Sequence, residues 1–255
     1  MLPGMTVTVS DEGPVRVVVL DRPEVRGAVD GEHARLLLAA FEELDARADL
    51  HVGVLTGSQG HFCAGADLKA VSSGAMPVWE PGEGPGPMGP TRLQLSKPVI
   101  AAVEGHAVAG GLELALWCDL RVAAETAVFG VYCRRWGVPL IDGGTIRLPR
   151  VVGQGIAMDL VLSGRPVLAD EALRIGLANR VVPEGRAREA AVAWAHELAA
   201  LPQVCQRQDR LSLLEQWDLS VKEALANEWR HGMVSLSTGL DGAADFVSGK
   251  GRHGA

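Results

Sequence analysis

The sequence predicts an α/β protein in which strand–turn–helix units stack as a spiral, followed by a helical C-terminal region. Three observations predict it. Short β-branched or apolar runs recur at Val15–Leu20 (VRVVVL), Val52–Leu55, Val99–Val103 and Leu120–Ala123, the length and composition of strands. Helix-period segments separate them, at Gly31–Arg47 and about Gly110–Trp117. Beyond Val182-Pro183 the strand-like runs stop and helical patterns take over. The expected division is therefore a spiral core over 1–189 and a helical region over 190–255.

In chain order, Asp21-Arg22-Pro23 ends the first strand. Gly31–Arg47 places Leu37, Ala40, Phe41 and Leu44 on one helical face. Val52–Leu55 is closed by Thr56-Gly57, which makes strand, helix, strand a parallel crossover unit. Ser72–Pro90 (SSGAMPVWEPGEGPGPMGP) is rich in Gly and Pro, so an irregular, mobile loop is expected there, with the length of a functional lid. Gly84, Gly86 and Gly89 formally match GxGxxG, but prolines interrupt the match, no strand precedes it and no helix opens from it, so a dinucleotide site is rejected. Strand, turn, helix, strand then repeats around Gly110–Trp117. In the C-terminal region, Arg186–Leu201 and Val221–Ser235 read as helices split by Pro202 and polar residues. That region is too small to bury its own apolar face and is expected to pack on the core or on another subunit. The tail Ser248–Ala255 is expected to fray.

Composition narrows the function classes. The 255 residues are 47% hydrophobic and 22% charged, an ordinary globular balance. Aromatics are 4% against 31 glycines, so the core must be built from Ala, Val and Leu with closely approaching backbones. A net charge of −7 argues against a general nucleic-acid binder, while leaving room for a small basic pocket for an anion. The longest weakly polar stretch, Val99–Cys118, carries Glu104, His106 and Glu113, which a lipid-facing helix would not tolerate cheaply. MLPGMTVTVSDEG has no basic region followed by an apolar run, so no secretory signal is read and a cytoplasmic location is expected. Cys63, Cys118, Cys133 and Cys205 are scattered without a CxxC pair, and no HExxH occurs. They read as reduced thiols, neither a disulfide framework nor a metal site.

Two segments carry chemistry: HFCAGADLK (His61–Lys69), after the second strand, and EGHAVAGGLELALWCD (Glu104–Asp119), after the third. Each leads from a strand end through small residues into a helix start. Ala64-Gly65-Ala66 and Ala109-Gly110-Gly111 either permit tight packing of crossing elements or let backbone N–H groups reach a ligand. Two such turns facing each other would form an oxyanion hole for a thioester enolate. Glu113, in the first turn of the second helix, suits a helix N-terminus as a structural residue and equally suits a base or a holder of water.

These segments, with DRPEVRGAVD (Asp21–Asp30), KPVIAAVEGHAVAGGLELALWCDLRVA and GRPVLADEALRIGLANRVVP (Gly164–Pro183), resemble the crotonase, or enoyl-CoA hydratase/isomerase, superfamily over nearly the whole chain. The resemblance implies a crotonase-like spiral of ββα turns with a C-terminal helical trimerisation region, assembled as a homotrimer or a dimer of trimers. It implies an acyl-CoA substrate of fatty acid metabolism type, with coenzyme A entering as part of the substrate and no separate cofactor. Carried over residue by residue, the oxyanion-hole amides are those of Ala66 and Gly110. Glu113 matches the first of two hydratase glutamates. Arg26 to Ala28 match a loop that contacts the adenine and pantetheine portions of CoA, and Ala64, Ala66, Asp67, Leu68 and Lys69 fall in a turn beside CoA. Lys69 suits a CoA phosphate or a solvated surface equally.

The resemblance breaks at one place. The second hydratase glutamate follows a Phe-Gly step, present here as Phe129-Gly130, but its position, 20 residues after Glu113, is Cys133. Gly137 and Gly143-Gly144 keep the register. A thiol is an inferior proton donor without a second oxygen to place water, and Cys is a common packing residue. Asp142 reads as a substitute acid or as a turn aspartate beside the glycine pair. Arg134 and Arg135 fit a substrate carboxylate or a neighbouring subunit. The expected activity is therefore an enoyl-CoA hydratase-like lyase with Glu113 activating water. The alternatives are other crotonase chemistry (isomerase, hydrolase, decarboxylase or C–C lyase) and a non-catalytic acyl-CoA-binding paralogue.

Overall fold

The computed structural model describes residues 7–249, apart from the side chains of Ser237, Thr238 and Asp241. The start of MLPGMTVTVSDEG and most of the tail expected to fray, 250–255, lie outside the described residues. The chain divides into two units, Met1–Glu197 and Leu198–Ala255.

The first unit is built on a six-stranded sheet. β1 (Val7–Glu12) pairs antiparallel with β2 (Val15–Leu20). β3 (Val52–Gly57), β4 (Val99–Val103), β6 (Leu120–Ala124) and β9 (Arg180–Val182) then follow in parallel, in the order β1-β2-β3-β4-β6-β9. The parallel strands β2, β3, β4 and β6 are buried almost throughout, which is why they read as unbroken apolar runs. β1 was not read from the sequence. Only Val7 of it is buried, so the strand leaves no apolar stripe.

A second layer explains the spiral. β5 (His106–Val108), β7 (Val128–Gly130) and β8 (Pro166–Leu168) form a three-stranded sheet, with β5 and β7 parallel and β7 and β8 antiparallel. A parallel bridge between Cys63 and Ala107 continues this layer one turn earlier. Each turn thus gives one strand to the large sheet and a short one to the second layer before its helix. Three-residue strands such as β5 and β7 carry too little pattern to stand out in the sequence.

The helices follow local rules. α1 (Gly31–Ala46) is capped by Asp30, whose side chain accepts from the amides of Glu32 and His33, and it buries Leu37, Ala40, Phe41 and Leu44. α3 (Gly110–Trp117) runs over the predicted residues and is buried nearly all round. Its C-terminal carbonyls are met by Arg121, a buried cation whose Nη1 donates to Ala115 O (3.2 Å) and Cys118 O (2.8 Å). That anchor fixes the helix bearing Glu113. α2 (Leu68–Ser72), α4 (Gly144–Val152), α5 (Gln154–Ser163) and α6 (Ala169–Arg174) complete the turns. α7 (Ala187–Ala199) buries Ala187, Ala191 and Ala195, an i, i+4, i+8 stripe, and most of it belongs to the first unit. The division therefore falls later than residue 189.

In the second unit, α8 (Gln203–Glu215) packs on α9 (Val221–Val247). His231 on α9 contacts Gln208 Oε1 (2.6 Å) and Glu215 Oε2 (2.9 Å). α9 begins with a capping box of Ser220 and Glu223. α8 was not read as a helix, because its sequence QVCQRQDRLSLLE has few apolar residues and none of them is buried. Among the described residues no helix is long and apolar enough to cross a membrane.

Candidate active site

The two small-residue turns meet. α3 begins at Gly110, after Ala109 at φ 53°, ψ −124°, a non-glycine residue in positive-φ backbone. A Cβ added to Gly65 would lie 3.0 Å from the Gly110 nitrogen, and one added to Gly111 would lie 2.1 Å from the Cys63 carbonyl oxygen. Both glycines therefore stand where the two turns approach closely. Gly111 is small because the start of α3 rests on the backbone of the preceding turn. Gly65 is small because it abuts an amide at a helix start. The bonds Val29 N–H to Gly65 O and Asp67 N–H to Val29 O, both 2.8 Å, fix the first turn. They leave the Ala66 amide without a protein acceptor among the described residues, and the Gly110 amide, first of its helix, is likewise unpaired.

Glu113 lies one turn into α3 and is 2% exposed. Its Oε1 accepts from the main-chain amides of Asp142 (2.9 Å) and Gly144 (2.8 Å), the latter the first residue of α4. Its other oxygen accepts no hydrogen bond among the described residues. A Cβ on Gly144 would lie 2.9 Å from Glu113 Cγ and Oε1, so the second glycine of Gly143-Gly144 makes room for the carboxylate. Burial, with the nearby Asp142 carboxyl adding to it, pushes the Glu113 carboxyl up to about 7, against the two amide bonds that favour its ionised form. That is the range a general base or acid needs at neutral pH.

These groups share one cavity of about 770 Å³. Of the residues singled out from the sequence, Arg26, Ala64, Ala66, Leu68, Gly110, Glu113, Cys133 and Asp142 line it. Ala28, Asp67 and Lys69 do not. Ala28 is buried, and its carbonyl accepts from Arg22 Nη1 (2.7 Å). Asp67 caps α2, accepting from the Lys69 amide (3.0 Å), and pairs with Arg22. On α2 the residues one turn apart, Leu68 and Val71, face the cavity, which leaves Lys69 exposed on another face.

Cys133 sits in a single 3-10 turn, Tyr132–Trp136, and is buried against the core. Burial and the neighbouring Glu113 carboxyl push its thiol up, so it is held protonated. Arg134 Nε donates to Val161 O (3.0 Å), away from the cavity, while Arg135 reaches the cavity wall with its guanidinium 3.8 Å from the Tyr132 ring centroid. Asp142 is buried, and its Oδ1 accepts from the Met88 amide (3.0 Å) and the Thr91 hydroxyl. Burial raises its carboxyl as well. All four cysteines are free, and among the described residues no cluster of three His, Cys, Asp or Glu side chains could hold a metal ion.

The loop after α2 is irregular, as expected, but it is tied down. Arg92 Nη1 donates to the carbonyls of Trp79 (2.8 Å), Gly84 and Pro85 (both 3.2 Å). Met76, Val78, Pro87 and Met88 from this loop line the cavity, as does His106 of β5 beside Arg26. Sequence reasoning missed these side chains individually. The loop's Met and Val residues were the available signal, diluted among Gly and Pro.

Comparison with known proteins gives a consistent picture. The enoyl-CoA hydratase/isomerase family pattern matches residues 10–232. Enoyl-CoA hydratase EchA19 of Mycobacterium tuberculosis is 37% identical over 206 residues, covering 77% of this chain and 76% of that protein. Carnitinyl-CoA dehydratase of Salmonella typhi is 39% identical over 188 residues, 73% and 71% of the two chains. The crystal structure of an enoyl-CoA hydratase from Mycobacterium tuberculosis H37Rv superposes with a TM-score of 0.89 at 35% identity, covering 95% of this chain and 96% of the other.

Proposed function

The chain belongs to the enoyl-CoA hydratase/isomerase family and is an acyl-CoA enzyme of the crotonase type, and from that premise we propose that it adds water across the double bond of a 2-enoyl-CoA thioester. The observation that carries this reading is Glu113. Its Oε1 is held by two main-chain amides while its other oxygen accepts no hydrogen bond among the described residues, and it shares the cavity with the unpaired amides of Ala66 and Gly110. In the proposed reaction the thioester carbonyl oxygen accepts from these two amides. Glu113 takes a proton from water as the hydroxide oxygen bonds to Cβ, and the π electrons move to the carbonyl oxygen as an enolate. Glu113, now protonated and with a pKa near 7, returns that proton to Cα as the enolate collapses. Water's oxygen and both of its protons end on the product, and nothing is needed beyond the CoA that the substrate brings.

Crotonyl-CoA and longer 2-enoyl-CoA substrates test this. Their enoyl absorbance should decay in the presence of the protein, and Glu113→Gln should abolish the decay. No turnover at any chain length, with binding intact, overturns it.

The protonated Cys133 thiol favours a second reading. A single acid–base carboxylate is sufficient for double-bond isomerisation, in which Glu113 removes a proton and returns it to another carbon. Conversion of a 3-enoyl-CoA to its 2-enoyl isomer distinguishes the two reactions. A non-catalytic paralogue would bind these thioesters, read as a rise in melting temperature, and convert none.

A homotrimeric or dimer-of-trimers assembly in the cytoplasm is part of the same proposal. It is supported by the apolar Leu225, Trp229, Met233, Leu236 and Leu240 exposed on α9. A monomer by light scattering would exclude that assembly.

A further inference from the structure

We propose that Asp142 is a positioning residue that ties the buried turn Gly86–Thr91 of the loop to the cradle of Glu113, so that one residue sets both the base and the wall beside Gly110. The inference rests on the hydratase reading only in taking Glu113 as the base.

The geometry runs through three parts of one residue. Its main-chain amide donates to Glu113 Oε1 (2.9 Å). Its carboxylate Oδ1 accepts from the Met88 amide (3.0 Å) and the Thr91 hydroxyl. Its carbonyl accepts from Arg147 Nη1 (2.8 Å), and the same guanidinium donates through Nη2 to Thr91 O (2.6 Å). The loop is thus bound to the Asp142 backbone and side chain by a closed ring of bonds. The turn is shaped to sit there. A Cβ on Gly86 would lie 2.0 Å from Thr91 Oγ1 and 2.6 Å from Asp142 Oδ1, so only glycine lets the chain pass over the carboxylate. The far side of the turn meets the oxyanion site, since a Cβ on Gly110 would lie 2.6 Å from Met88 Sδ. A shift of the turn therefore moves the group covering Gly110, and a shift of residue 142 moves a hydrogen bond to the base.

These bonds also set the positioning role against the substitute-acid role that the sequence leaves open. Oδ1 is an acceptor twice over. An Asn side chain keeps that acceptor and cannot deliver a carboxylic proton, whereas Ala loses both.

The test compares Asp142→Asn, Asp142→Ala and Thr91→Val in the full-length protein with a 2-enoyl-CoA. Positioning predicts a kcat loss of about 10²-fold for Asp142→Ala, the scale of a misplaced catalytic group, with KM less affected. It predicts rescue of most of that loss in Asp142→Asn. Thr91→Val should lose a part of the same activity, and adding it to Asp142→Ala should cost little more, since the two share one interaction. An Asp142→Asn protein as inactive as Asp142→Ala would overturn positioning in favour of an acid role. Full activity in Asp142→Ala would overturn it outright. If Asp142→Ala does not fold, Thr91→Val carries the test.

A second readout needs no turnover. In protein labelled with ¹³C at the methionine methyls, the Met88 resonance, assigned with Met88→Leu, should move in Asp142→Ala and Thr91→Val and stay in place in Asp142→Asn. An unmoved resonance in Asp142→Ala overturns the tie to the loop. A wild-type protein inactive on every enoyl-CoA sinks the hydratase reading and leaves this measurement standing.

Discussion

The two walls of the cavity are made of different material. One is backbone: the turns Ala64–Ala66 and Ala109–Gly111, held so closely that a methyl group on Gly111 has no place to go and one on Gly65 would press on the Gly110 nitrogen. The other is side chain: the loop before β4 and the stretch from Tyr132 to Asp142, which contribute Met76, Met88, Tyr132, Cys133 and Ile141. The backbone wall presents two amides and has little freedom to vary. The side-chain wall sets size and polarity and has much more. Chemistry common to a family belongs on the first, and selection among substrates on the second.

Glu113, which faces both walls, should show the largest effect. Glu113→Gln is expected to lower kcat by about 10³-fold or more, within the range for losing a general base, while the amide oxygen still accepts from Asp142 and Gly144. In the wild-type protein the rate should rise with pH through about 7, as the carboxyl ionises. Stability should run the other way. The native state holds this proton more tightly than the unfolded chain, whose carboxyl sits near 4.5. The ionisation penalty is therefore absent below about 4.5, grows up to about 7 and is complete above it, where Glu113→Gln should be the more stable protein by about 3 kcal/mol. Denaturant unfolding of both proteins across that window measures it. A difference that does not change with pH would break the argument.

Next in size is Gly65→Ala. At φ +98° with a Cβ 3.0 Å from the Gly110 nitrogen, alanine must strain the turn and disturb an oxyanion amide. A kcat loss of about 10²-fold is expected, with about 1–3 kcal/mol of stability lost to backbone strain. A fully active Gly65→Ala would erase the distinction between the walls.

On the side-chain wall effects should be smaller. Cys133→Ala should lose about 1 kcal/mol of stability and keep the activity within about 3-fold, since Glu113 carries the proton transfers (a general acid–base group being worth 10²-fold or more). Cys133→Glu is the sharper probe, and a gain in hydratase rate would show that this position reaches the substrate. Smallest of all, Lys69→Ala should leave KM within about 2-fold, because an exposed lysine off the cavity wall interacts weakly through water.

The same contrast governs what could be read in advance. The buried parallel strands and α3 announce themselves as apolar runs, and the backbone wall announces itself as clustered Gly and Ala. Glu113 is legible because it falls one turn into a helix begun by Gly110-Gly111. The cradle is not, since Gly144 lies 31 residues away and only folding brings α4 against α3. Asp142 was visible as a candidate, but its bonds to Met88 and Thr91 were hidden by more than fifty residues of intervening chain. β1 and α8 were missed because they leave no buried apolar stripe: only Val7 of β1 and no residue of α8 is fully buried.

The cradle of Glu113 has a consequence for mutational mapping. Both groups that hold its Oε1 belong to the main chain, so an alanine scan would pass over residue 142 and report the loop tie while leaving the amide itself untouched. Residue 144 would register only as a steric clash. The holders of the base become visible when a peptide N–H is exchanged for an ester oxygen, one position at a time, by α-hydroxy acid incorporation.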